Sequence, residues 1–216
     1  MLVKEITNMD LLKQLIERYG YNEPIFTEEI LSAWNDYSRT RVFQLLKEYA
    51  KKGELCKFGK GVYYIPTKTF LGTRSRLSAR QVIEKKFIKP DGEVCGYYGG
   101  LSLLNGLHLT TQVPNTLEVV TMKEATRLRR INLGGSNVIL RKARTGINSQ
   151  NVAIIQLLDA FNEMGRPLSE EETEGVREFV RLRGIKERDV FKYAGDFPAK
   201  AIKSLLETGV ENVFTQ

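Results

Sequence analysis

The side chains in this sequence best suited to chemistry are cations and amides gathered on one face of segment 38–52. Val42, Leu45, Leu46 and Tyr49 recur there at helical spacing. At 100° per residue this leaves Thr40, Arg41, Gln44, Lys47 and Lys51 on the opposite face, with Arg39 at the N-terminal shoulder behind Ser38. An arginine fork matches the N7 and O6 atoms of guanine, and a glutamine amide matches N6 and N7 of adenine. A few residues on, Gly59-Lys60-Gly61 places a lysine between two glycines in a tight turn, with Lys57 just before it. A basic hairpin tip of this kind suits a phosphate backbone or a minor groove. The expected DNA contacts of this region are Ser38, Arg39, Thr40, Arg41, Gln44, Lys47, Lys57 and Lys60.

Catalytic chemistry finds little support. His108 is the only histidine, at the end of an apolar stretch, where a satisfied, partly buried imidazole is expected rather than a general base. There is no G-x-x-x-x-G-K-[ST], G-x-G-x-x-G or H-E-x-x-H pattern. Cys56 and Cys95 are far apart and fit free thiols better than a zinc site or a disulfide framework. Acidic groups such as Glu28-Glu29 and Glu170–Glu172 fall at expected helix starts, where the helix dipole accounts for them. The expectation is a protein that is not an enzyme and has no cofactor and no metal.

These groups require elements to hold them. Leu11, Leu12, Leu15, Ile16 and Tyr19 predict a first helix that Gly20 ends. Thr27, as N-cap with Glu28 and Glu29 behind it, predicts a short second helix to about Asn35. Ser38 caps the third, which Gly53 stops. Segments 54–58 and 62–65 then form a hairpin, closed by Pro66. Helix, short helix, polar-faced helix and basic hairpin, in that order, predict a winged helix-turn-helix.

Net charge is +7, and its distribution is uneven. Residues 1–70 hold 11 basic and 9 acidic residues, 71–155 hold 13 and 5, and 156–216 hold 9 and 12. An excess of this kind suggests a polyanionic partner. Segment 67–90 reads as a basic linker and an amphipathic helix; Arg74 and Arg76 either extend a phosphate-contacting surface or simply keep a linker solvated. Beyond it, 99–107 reads as a buried helix and 117–121, 130–133 and 138–141 as strands, with a turn at 134–137. Helices are expected from Ser149, from Ser169, over 186–194 and over 199–206. The fold class is therefore α+β: a winged helix-turn-helix over 1–67, a basic linker and helix over 68–90, and an α+β domain with a small sheet and a helical C-terminal part over 91–216.

The stretch Gly96-Tyr97-Tyr98-Gly99-Gly100-Leu101-Ser102-Leu103-Leu104-Asn105-Gly106-Leu107-His108-Leu109-Thr110-Thr111-Gln112-Val113-Pro114-Asn115 resembles the central motif of AbiEi-type antitoxins. Gly61-Val62-Tyr63-Tyr64-Ile65-Pro66 is similar to the end of the hairpin in that family. The likeness covers roughly residues 10–160, and the acidic helical tail carries no matching motif. It implies an autorepressing antitoxin of a type IV toxin–antitoxin system, bound to inverted repeats upstream of its own operon. Its toxin would be a nucleotidyltransferase-like protein, countered without a stable complex. It further implies DNA contacts from Arg39, Arg41, Gln44, Lys57 and Lys60. From the second domain, Arg127, Arg129, Arg130, Arg141, Lys142 and Arg144 are candidates, because they cluster beside the expected strands. Thr110–Pro114 is read as structural, with Pro114 fixing a turn into the first strand.

A stand-alone transcription factor of a mobile element and a winged-helix protein-interaction adaptor share the same sequence features. Homodimers and cooperative monomers on DNA are both open. Met1–Ile6 lacks the apolar core of a secretory signal, no apolar run is long enough for a bilayer, and the thiols suit a reducing compartment. The cytoplasm is the expected location, with no membrane partner.

Overall fold

The computed structural model describes residues 8–68, 70 and 72–214, so the Met1–Ile6 stretch lies outside the described residues. The fold is α+β, and the chain divides into two compact units, 1–83 and 84–216. Segment 68–90 is thus shared between them, its first part belonging to the first unit.

In the first unit, α1 (Asn8–Tyr19), α2 (Thr27–Ala33) and α3 (Arg39–Lys52) accompany a sheet of β1 (Ile25–Phe26), β2 (Cys56–Gly59) and β3 (Val62–Tyr64) in the order β1-β3-β2, antiparallel throughout. Leu15, Ile25, Ile30, Leu46 and Leu55 are fully buried in one cluster with Trp34, Val42 and Tyr49. Each such side chain contributes about 1.5–3 kcal/mol relative to exposure. The short β1 was not evident from its two residues. It pairs Ile25 with Tyr63 and Phe26 with Val62, and so anchors the hairpin to the start of α2. Thr27 is the first residue of α2 and not its cap. Phe26 occupies that position, and its N–H donates to Glu29 Oε2 at 3.0 Å.

Thr67 and Ser75 are no part of a free tether. Asn22, at φ 60°, donates from Nδ2 to Thr67 Oγ1 at 2.9 Å, while its Oδ1 accepts from Thr67 N and from the Ser75 hydroxyl. Ser75 N donates to Thr67 O, Tyr64 hydroxyl donates to Ser75 O, and Gln81 Nε2 donates to Asn22 O. These bonds hold Thr67 and Ser75 on the first unit, ahead of α4 (Ala79–Ile83).

The second unit opens with a π-helical turn at Glu84–Ile88 and a 3-10 turn at Pro90–Gly92. A four-stranded sheet follows, built of β4 (Gly96–Tyr98), β5 (Leu117–Thr121), β6 (Leu128–Leu133) and β7 (Ser136–Lys142) in the order β4-β5-β7-β6. β5 and β7 run parallel, and the other pairs are antiparallel. Around it lie α5 (Gly100–Gly106), α6 (Val152–Met164), α7 (Glu170–Arg183), α8 (Glu187–Phe191), α9 (Ala199–Thr208) and α10 (Val210–Phe214). Helix α6 is apolar on nearly every side, with Ile155, Leu157, Leu158 and Phe161 buried, so it forms the centre of the core. It begins later than the sequence suggests: Asn151, not Ser149, precedes its first turn, in a loop where Asn148 N donates to Asn151 Oδ1.

The glycines of the central motif have steric reasons. A Cβ at Gly96 would collide with the carbonyl oxygens of Phe87 and Val120, and one at Gly100, which sits at φ 53°, would press on the Glu118 carboxylate. His108 is exposed rather than partly buried; it follows Leu107, the cap of α5, at φ 58°, with its N–H donating to Asn105 O. Among the described residues no helix is long and apolar enough to cross a membrane.

Candidate nucleic-acid interface

The candidate surface of the first unit is α3 with the β2–β3 hairpin. Ser38 Oγ accepts from Arg41 N at 3.2 Å, so the serine hydroxyl caps the helix and fixes where its first turn starts. Val42, Leu45, Leu46 and Tyr49 enter the core, while Arg39, Thr40, Arg41, Gln44 and Lys47 are exposed on the outer face. The structure thus brings the six expected α3 residues together. It adds one that helical counting overlooked: Phe43, on the same side and 39% exposed, with the Arg39 guanidinium 5.7 Å from its ring. An apolar ring among cations suits contact with a thymine methyl group. The only sequence signal was an aromatic off the apolar stripe.

Lys57 is exposed on β2 and Lys60 at the tip of the turn. A register shift between Lys57 and Gly59 and the left-handed Gly61, at φ 73°, shape that tip. Gly61 O accepts from Thr27 N at 2.9 Å, tying the tip to α2.

Arg74 is exposed and sits at the far end of α3 from Arg39. A Cβ at Gly53 would run into its guanidinium, which therefore lies over the C-terminal end of α3, where the helix dipole favours a cation. At about 1.5 Å per residue, that end is roughly 20 Å from Arg39. Arg76 is exposed beside the buried Leu77 and acts electrostatically on the Tyr64 hydroxyl.

In the second unit the expected cations separate into two sets. Arg141 is a correction: β7 turns it onto the face shared with Val120 and Tyr97, where it is only 20% exposed and meets three carboxylates. Its Nη2 donates to Asp159 Oδ2 at 2.8 Å and its Nη1 to Glu163 Oε1 at 2.9 Å. Its Nε lies 2.6 Å from Glu118 Oε1, as an ion pair whose N–H is not aimed at the oxygen. Tyr97 hydroxyl donates to the same Asp159 oxygen at 3.0 Å. Burial raises the Asp159 and Glu118 carboxyls above their usual range despite Arg141, and it holds the Tyr97 hydroxyl well above its own. Burial alone would lower Arg141, but the three carboxylates more than offset it. Arg129 is likewise committed. Its Nε and Nη2 grip the buried Glu124 at 2.8 and 2.7 Å, and together with Thr126 they outweigh burial to hold that carboxyl low.

Arg127, Lys142 and Arg144 make no ion pair among the described residues and line a cleft of about 270 Å³ with Tyr97, Arg141 and Asp159. The Arg144 guanidinium stands 5.9 Å from the Phe197 ring. Arg130 is exposed on the edge strand β6, outside that cleft. Among the described residues no group of three histidine, cysteine or acidic side chains is placed to hold a metal ion. Cys56 and Cys95 are free thiols. No protein-family model matches the chain, and no curated protein is similar to it.

Proposed function

We propose that this protein is a sequence-specific regulator of transcription that binds double-stranded DNA. Its first unit is read as a winged helix-turn-helix in which α3 enters the major groove and the β2–β3 hairpin follows the phosphate backbone. The observation that carries this reading is the division of α3, with one face sunk in a closed core and the other offering Arg39, Thr40, Arg41 and Gln44 from its N-terminal half and Lys47 one turn on. The cations Arg127, Lys142 and Arg144, without an ion pair among the described residues, supply a second basic surface for phosphate. With the resemblance in its central motif, the particular role proposed is the cytoplasmic, autorepressing antitoxin of a type IV system, acting against a nucleotidyltransferase-like toxin without a stable complex.

The test is fluorescence anisotropy of the full chain on DNA upstream of its gene and on a scrambled duplex, across a salt series. A preference of a hundredfold or more, roughly 3 kcal/mol, supports the proposal. Equal, salt-sensitive affinity for both duplexes leaves only a general attraction to nucleic acid, and no binding at low salt ends the reading. The exposed Phe43 favours one alternative, a protein-interaction adaptor. Arg39→Ala with Arg41→Ala separates the two, since it abolishes DNA binding in a regulator and leaves partner binding intact in an adaptor.

A further inference from the structure

One cleft of the second unit takes no part in the proposed DNA contacts. It lies where β4, α5, the first turns of α6 and the end of α7 converge, and its volume is about 540 Å³. Small-molecule sites span roughly 300–1,000 Å³. Its walls are mainly apolar, from Leu103, Leu107, Val152, Ala153, Phe179 and Leu182, and Leu182 is 71% exposed. A Cβ on Gly106, which also lines it, would meet nothing within 4 Å.

Two polar groups stand out. Ser102 Oγ is sheltered from solvent yet has no hydrogen-bond partner among the described residues, an unfavourable state unless a bound molecule serves it. Arg183 carries its guanidinium 5.8 Å from the Phe179 ring and makes no ion pair among the described residues. No acidic side chain lines the cleft. Apolar walls, one unserved hydroxyl and one cation without a counter-ion together define the occupant's chemistry.

We propose that this cleft binds a small apolar carboxylate, an aryl or medium-chain acyl acid. Its hydrocarbon lies along Leu103, Phe179 and Leu182, and its carboxylate oxygens meet Arg183 and accept from the Ser102 hydroxyl. The site does not depend on whether the first unit binds DNA, and it is tested without DNA. Isothermal titration of the full chain would use decanoate and 1-naphthoate as probes and 1-decanol as the uncharged comparison. Saturable one-to-one binding of both carboxylates is expected. Arg183→Gln, at an exposed position, should weaken both about tenfold, the loss of one charge-assisted contact, and leave decanol unchanged. Gly106→Phe should fill the cleft and abolish binding of all three while the melting temperature holds. Absence of saturable binding overturns the proposal. So does undiminished binding to folded Gly106→Phe, or a loss for decanol as large as for decanoate in Arg183→Gln.

Discussion

Replacing Arg141 by methionine tests whether that arginine belongs to the protein's own scaffold or to a ligand surface. The substitution keeps an unbranched side chain but leaves Glu118, Asp159 and Glu163 without their shared cation. Removing one partner of a buried pair costs about 3–5 kcal/mol. Glu118 and Glu163, at 23% and 29% exposure, recover hydration, so the cost falls mainly on Asp159, which is 2% exposed. Asp159 limits it by taking up a proton, which its raised pKa already favours. A loss of about 3 kcal/mol at neutral pH is the result, or a melting temperature about 10 °C lower for a unit of this size. The loss should shrink as pH falls and Asp159 becomes protonated, because the penalty belongs to the charged carboxylate. Asp159→Asn added to the variant should recover part of it. Differential scanning calorimetry between pH 4 and 8 reads the effect, with Lys142→Met, an exposed cation without an ion pair, expected within about 0.5 kcal/mol of the parent. Unchanged unfolding of Arg141→Met, together with DNA binding weakened as in Arg127→Met, would refute the scaffold role.

Lys57→Glu with Lys60→Glu should weaken binding to every DNA sequence and flatten the salt slope by about 2, since each contact is to a phosphate; the anisotropy salt series reads it. Asn22→Ala should destabilise the first unit by about 2 kcal/mol, through lost hydrogen bonds and a strained left-handed backbone, and should expose the Ser75 amide to hydrogen exchange. Asn22→Gly should keep the backbone conformation but not the side-chain bonds, so it should be the milder variant; the emission of Trp34, the chain's only tryptophan, follows both. The Glu172 carboxyl is lowered from 4.5 to about 2, first by Arg166 and also by the Ser169 cap. Its contribution is therefore fully present above pH 4.5 and is lost as pH falls towards 2. With Arg166 half exposed, about 1–2 kcal/mol is expected, so Glu172→Gln should lose that much at pH 6 and progressively less below pH 4 in urea titrations.

The parts of this protein legible in its sequence are those governed by local rules. The stripe Val42, Leu45, Leu46 and Tyr49, the Ser38 cap and the Gly53 stop placed α3 to within a residue, because periodicity and capping act over one or two turns. Ser169 with Glu172 marked the start of α7 for the same reason. Gly59-Lys60-Gly61 announced its hairpin. Strands β1 and β4 were missed because two or three residues carry no period, and they exist only through partners at a distance, Tyr63 and Val120. The tertiary structure alone decided which cations are spent. Arg141 and Arg144 look alike in sequence, yet strand alternation and the packing of α6 bring Asp159 and Glu163 into ion pairs with the first, while among the described residues the second shares a cleft with Asp159 without pairing. Arg74 resembled a linker cation until Asn22, some fifty residues earlier, drew its segment back onto the first unit. Local residue patterns determine where a helix starts and which face is polar. Whether a charge is free depends on which carboxylates the folded chain brings within 3 Å, and for Arg141 those lie about twenty residues away in sequence.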